Sequence, residues 1–316
     1  MRDKFELYDE LAQEIQHETG VGLSSPDLVN LAIASTNHWV LFKPMIDVRK
    51  LLHYVVRGEH DMVKAILKDD ASLIYKRGKV TDCSGRIFDN VSGFEYALWA
   101  LDKHMWAMMM ACIPPSRESK IVFTKLIAQY DKMNTDGVTY RLHGKTITEQ
   151  HFDFENTIIK ELQTQLDSIN ALGDKKWEFP NKAWAPIDKH WRENVGGAQK
   201  LLPMHVVHEY CSDELFFPVP KFTSRPNSSK QLHAWTTDND KYWFSPDSEL
   251  GVSFGIFKEK DGGCLPGIAS PSGGLVRRNL VAIKALYNVR LEDFTNLKYQ
   301  LEKQSAVEKQ LPAFQA

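Results

Sequence analysis

Apolar positions along this chain recur mostly at spacings of three and four, the period of a helix with one buried face. Phe5, Leu7, Tyr8, Leu11 and Ile15 make such a face over residues 5–18. The stretch GVGLSSPDL ends that helix and opens the next, with Ser25 suited to the cap and Pro26 to the first helical turn. Leu28, Leu31, Ala32 and Trp39 carry the second helix onward. In LLHYVVRGEHDMVKAIL (51–67), Leu51, Leu52, Val55 and Val56 share a face and Gly58 closes the turn. Met62, Val63, Ile66 and Leu67 then form the face of a following helix. Two short helices joined so tightly run antiparallel. Each has one apolar face, so the pair must stack on a neighbour to bury it.

Past residue 115 the rhythm varies. Pro-Pro-Ser opens a predicted helix at 116–133 carrying Ile121, Val122, Leu126 and Tyr130. VTYRLHGKTIT, 138–148, alternates apolar and polar around His143–Gly144, which predicts a two-residue hairpin. Thr146 and Glu149 have the spacing of a capping box ahead of a long amphipathic helix with the stripe Ile159, Leu162, Leu166 and Ile169. Trp177, Trp184 and Trp191 are seven apart, but Pro180 and Pro186 preclude one helix through them. A short helix starts near Pro203. Residues 213–250 are rich in Pro, Ser and Asn, with LHAWTT and YWFS as strand candidates. ELGVSFGIFKEK alternates like a strand, and the segment from Gly273 reads as two helices parted around Asn288–Leu291.

The helix pair at 51–67 resembles an ankyrin repeat at Leu52, His53, Gly58, Val63, Ile66 and Leu67, with Val55 where that family prefers Ala. His53 falls where ankyrin units place a histidine that bonds neighbouring backbone. TDCSGRIFDNVSGFEYALWALDKHMWAMMM looks like a second, distorted unit: Asp82, Gly85 and Arg86 resemble the hairpin tip, and Phe94–Tyr96–Ala97 the start of a first helix. IFDNVSG is inserted between them, so a regular array is absent. Together with the downstream HWRENVGGAQKLLPMHVVHEYC, the combination resembles a paralogous set of ankyrin-like proteins of intracellular bacteria, many regarded as type IV secretion effectors. That resemblance implies delivery into a host cytosol and brings no catalytic motif. The expected fold is mainly α, with ankyrin-like stacked helix pairs (about 45–112) in a helical domain at 1–115. A mixed, mainly helical domain with short β segments and a loop-rich stretch at about 213–250 follows at 116–316.

Composition narrows the function. A chain of 316 residues with 43% hydrophobic and 25% charged residues can bury a sizeable core, which excludes a disordered chain. The net charge of −2 and the dispersed Lys and Arg argue against nucleic acid as a partner. The longest apolar stretch, 93–115, carries Asp102, Lys103 and His104 at its centre and so reads as a buried helix, not a membrane span. The first twenty residues are too charged for a signal peptide. Cys83, Cys112, Cys211 and Cys264 lie far apart, as reduced thiols of a soluble intracellular protein would.

Two motifs suggest chemistry. In HVVHEYC, His205, His208 and Cys211 are one turn apart, a spacing compatible with a zinc site or an imidazole-activated thiol. Steps of three drift around the helix, however, so the spacing favours surface histidines and a core cysteine. In TDCSGR, Cys83 sits beside Asp82 and Arg86 in a loop where Asp82 and Ser84 are suited to bonding backbone amides. The Gly-rich DGGC and SPSGG lack phosphate-loop context, and no cofactor or metal is expected. The leading expectation is a protein–protein interaction module. It would bind a protein partner, a host protein if the effector resemblance holds, through Arg77, Asp82, Arg86 and Asp89. The alternative is a Cys/His-dependent thiol hydrolase, deamidase or transferase with its site in the C-terminal domain.

Overall fold

A computed structural model describes residues 8, 11–116, 119–173, 182–234, 239–245 and 248–307. The protein is mainly α-helical with short antiparallel strands. No helix among the described residues is long and apolar enough to cross a membrane. The chain divides into two compact units. The first takes residues 1–97, 105–148 and 301–316; the second takes 98–104 and 149–300.

The first unit opens with α1 (Gln13–Gly22), later in the chain than the predicted 5–18, much of which lies outside the described residues. Helix α2 (Ser25–Ala32) is capped by Ser24, not Ser25: its hydroxyl accepts from Asp27 N at 3.2 Å, which places Pro26 in the first turn. The helix predicted through Trp39 breaks at Ile33, and α3 (Thr36–Val55) starts afresh with Ser35 as cap. Arg49 of α3 donates to the carbonyls of Gly20, Val21 and Leu23, so its buried guanidinium closes the C-terminal end of α1. Gly58, at φ 64°, turns the chain into α4 (His60–Asp69). Leu51, Leu52, Val55, Val63 and Leu67 are buried between these helices and their neighbours.

A short 3₁₀ turn leads to β1 (Arg77–Thr81) and β2 (Ile87–Ser92), then α5 (Gly93–Trp99), α6 (Lys103–Ala111) and α7 (Ser119–Asp136). β3 (Val138–Leu142) and β4 (Lys145–Glu149) complete a four-stranded sheet in the order β1-β2-β3-β4. His143 and Gly144 both take positive φ, as the predicted hairpin requires. Gly78 permits the sheet to lie on α3, since a Cβ there would sit 2.8 Å from Val48.

In the second unit the expected capping box does not form, because Thr146 and Glu149 belong to β4. Asp153 takes the role instead, accepting from Asn156 N at 2.9 Å. A π-helical turn at Glu155–Ile159 leads into α8 (Lys160–Ala171), which buries Leu162, Leu166 and Ile169. There follow α9 (Trp184–His190), a second π turn at Trp191–Val195, α10 (Gly196–Lys200) and α11 (Met204–Tyr210). Trp177 lies outside the described residues. Two hairpins come next: β5 (Gln231–Ala234) with β6 (Asn239–Tyr242), and β7 (Gly255–Lys258) with β8 (Cys264–Gly267). The last element, α12 (Gly273–Val307), is one helix of 35 residues, so the predicted break around Asn288–Leu291 is absent.

Among the described residues strand β7 pairs with one strand, β8, and side-chain amides complete its pairing. Gln199 donates to Ile256 O and accepts from Ile256 N; Asn279 accepts from Lys258 N and donates to Lys258 O. Each amide reproduces the two hydrogen bonds of a missing strand, so the buried backbone is satisfied. Gly196 allows this packing, since a Cβ there would sit 2.6 Å from Phe254 O.

Candidate functional site

The densest set of buried charge lies in the second unit. Arg290, on α12, has a guanidinium with no solvent exposure. Its Nη1 donates to Phe222 O at 2.8 Å and to Asp293 at 3.4 Å, and its Nη2 reaches His104 Nε2 at 3.0 Å and Glu209 Oε1 at 3.4 Å. Lys103 holds the other oxygen of Asp293 at 2.7 Å. A guanidinium cannot accept a hydrogen bond, so the Nε2 facing it is the unprotonated nitrogen and His104 is neutral. Burial and the Arg290 charge together push His104 down to about 4.

Two further groups are shifted toward neutrality. Burial raises Glu209 to about 7, against the lowering effects of Arg290 and Lys258. Burial lowers Lys258 to about 8. The Lys258 ammonium donates to Glu209 O, Ser212 O and Ser212 Oγ at 2.7, 2.7 and 3.0 Å, a cation at the carbonyl end of α11. A carboxyl near 7 beside an amine near 8 has the acidity of a proton-transfer pair. Yet Glu209 is 3% and Lys258 1% exposed, and all three ammonium donors are engaged by protein. The arrangement is a tether joining residues 102–104, α11, β7 and α12.

The HVVHEYC motif is drawn apart by its surroundings. His205 Nε2 donates to Ala100 O at 2.7 Å, while Cys211 meets Cys264 with the Sγ atoms 3.7 Å apart. His205 and His208 are buried, not on the surface as the spacing suggested. Among the described residues, no group of three or more His, Cys, Asp and Glu is placed to hold a metal ion. Beside α11 an open cleft of about 620 Å³ is lined by Asp213, Glu214, Leu215, Pro218, Lys221 and Asn227.

In the first unit the four residues expected to contact a partner fall into three settings. Arg77 is clamped on Glu95 by two hydrogen bonds of 2.8 and 2.5 Å. Asp82 and Arg86 are 6% and 1% exposed, so neither offers surface to a partner. Asp82 accepts from the backbone N of Ser84 and Arg86 at 2.9 Å each and from Arg86 Nη1 at 3.2 Å. The correction has a physical cause: β2 pairs with β3 from Ile87 to Arg141, which brings the Tyr140 ring to 5.5 Å from the Arg86 guanidinium. The loop is thereby covered by a sheet. Asp89 remains exposed, holding Arg141 through two 3.0 Å hydrogen bonds at the rim of a 490 Å³ cleft. Cys83 has its sulfur 3.8 Å from Val56 O.

Sequence reasoning missed a different surface. On α2, Val29 and Ile33 follow at four-residue spacing; on α3, Trp39, Ile46, Lys50 and His53 follow at spacings that keep one face. Ile33 is 66% and Trp39 41% exposed, with Val40 beside it at 70%. A 270 Å³ groove lined by Leu28, Val29, Ile46, Lys50 and His53 runs along this stripe.

These features define a mainly helical protein with a buried polar tether and exposed apolar residues beside a groove. The chain belongs to the family of CBUA0006, an uncharacterised protein of Coxiella burnetii, to which it is 33% identical over 300 residues, 85% of this chain and 82% of that protein. The family model of the CBUA0006 C-terminal domain matches residues 157–301. That span includes Glu209, Lys258 and Arg290. No solved structure matches the chain.

Proposed function

We propose that this protein is an interaction module that docks another protein along the α2–α3 stripe. The observation carrying this reading is the run of exposed Ile33, Trp39 and Val40 beside an apolar groove. Contiguous exposed apolar surface with a tryptophan anchor is characteristic of protein interfaces. Lys50 and His53 at the groove suit a partner segment that presents apolar residues flanked by acidic ones. The helix pair α3–α4 followed by the β1–β2 hairpin is the order an ankyrin-like unit would have, which supports the same reading. The effector resemblance assigns a host protein as the partner and the host cytosol as the place of action. Arg77 and Asp89 lie at a second, charged surface that can orient the partner.

The competing thiol-enzyme reading draws no support from the cysteines. Cys211 and Cys264 are buried against one another, and Cys83 lies against a backbone carbonyl.

The test is crosslinking capture from eukaryotic lysate with the full chain and with its Ile33→Glu/Trp39→Glu variant. A protein captured by the first and lost with the second, while Asp89→Ala/Arg141→Ala still captures it, is the expected result. The same capture by all three chains would sink the reading.

A further inference from the structure

We propose that Cys211 and Cys264 form a thiol–disulfide site, in which a two-electron oxidant of the peroxide class joins the two sulfurs and clamps the end of α11 to β8. The geometry is on hand in the reduced protein. The Sγ atoms are in van der Waals contact at 3.7 Å, and a disulfide would bring them to about 2.0 Å. Cys211 is the C-cap of α11 and Cys264 opens β8, directly opposite Lys258 in the hairpin register.

Lys258 makes the environment selective. Its ammonium is held by Glu209 O and Ser212 O, on either side of Cys211 in sequence, so a positive charge stands by both sulfurs. Burial and the adjacent Cys211 push the Cys264 thiol up, and the Lys258 charge opposes that rise. Of the other cysteines, Cys83 lies against Val56 O and Cys112 against the Met108 sulfur.

The reaction balances with hydrogen peroxide. Cys211 Sγ attacks one peroxide oxygen and the O–O bond breaks. The thiol proton goes to the departing oxygen, giving water and a sulfenic acid. Cys264 Sγ then attacks the Cys211 sulfur, the S–O bond breaks, and a second water leaves with the Cys264 proton. Two thiols are oxidised and one peroxide is reduced. The bond closes a covalent loop around residues 212–263, which carry the 620 Å³ cleft and the exposed Leu215 and Phe217.

The full-length chain and its Cys83→Ser/Cys112→Ser variant are to be treated with graded hydrogen peroxide. Intact mass and non-reducing peptide maps are then compared. Both proteins should lose two hydrogens and yield one Cys211–Cys264 peptide, reversed by dithiothreitol. Tryptic cutting at Lys221 and Lys230 should slow by about tenfold on oxidation. Cys211→Ser should abolish the crosslinked peptide and the protection together; if that variant does not fold, the wild-type map decides. Oxygen added to Cys211 with Cys264 unchanged, crosslinks between separate chains, or no reaction at peroxide levels that oxidise Cys83 would each overturn the proposal.

Discussion

The two units each bury an arginine, and they do it in opposite ways. Arg86 answers a single carboxylate four residues away, across one turn of the chain. Arg290 answers a carbonyl, two carboxylates and an imidazole drawn from residues 104, 209, 222 and 293. The Asp82–Arg86 pair is a local structure that a sheet then covers. The Arg290 set exists only once helices far apart in sequence have packed. Burying charge is costly in either case, and ion pairing with hydrogen bonds offsets it. The Asp82–Arg86 pair forms within its own turn, whereas the Arg290 set depends on the fold of the whole unit.

This contrast predicts an order of effects. Arg290→Met should cost most, about 4–5 kcal/mol in chemical denaturation, because it leaves the buried Glu209 without its guanidinium partner. A loss no larger than that of a surface mutant would mean the network is solvated. Asp82→Ala should cost about 3–4 kcal/mol, since two backbone amides and Arg86 lose their acceptor. If it unfolds the second unit as well, the local character assigned to the pair is wrong.

The pH response sharpens the comparison, because Glu209 and Lys258 of the second unit are both shifted toward neutrality. Glu209 is raised from 4.5 to about 7, so its stabilising contribution is complete below pH 4.5 and is lost as pH rises to 7. Glu209→Gln should therefore gain stability relative to the parent across that window, by up to about 3 kcal/mol. Lys258 is lowered from 10.5 to about 8, so the unfolded chain binds the extra proton. Stability should rise over pH 8–10.5, and Lys258→Met should flatten the rise. Thermal unfolding across pH 4–10.5 checks both signs. The smallest effect belongs to Asp89 and Arg141, each about half exposed. A double-mutant cycle there should give a coupling below about 1 kcal/mol, and a larger one would mean the cleft rim is more rigid than its exposure implies.

How much was legible in sequence follows the same division between local and distant. The His143–Gly144 hairpin was readable because its turn chemistry is a property of two residues. So was α11, opened by Pro203, and the α8 stripe of Leu162, Leu166 and Ile169. The capping box at Thr146 and Glu149 misled because a strand pairing claimed those residues before a helix could. The break expected around Asn288–Leu291 misled for a related reason. Arg290 looks like a surface residue interrupting an apolar face, but three of its partners, His104, Glu209 and Phe222 O, lie far from it in sequence. Asp82 and Arg86 were expected to face a partner and are buried, because nothing local announces that β3 will lie against β2.

What the sequence determined by itself is the set of helices, the tight hairpin and the separation of polar from apolar faces. These depend on propensities and spacings within a dozen residues. Only the tertiary structure decided that residues 98–104 join 149–300, and that Asp82 and Arg86 are buried while Trp39 is not. It also decided that Cys211 faces Cys264 and not a histidine. Burial and partnership are properties of contacts between distant segments, and helical period does not encode which segment will arrive.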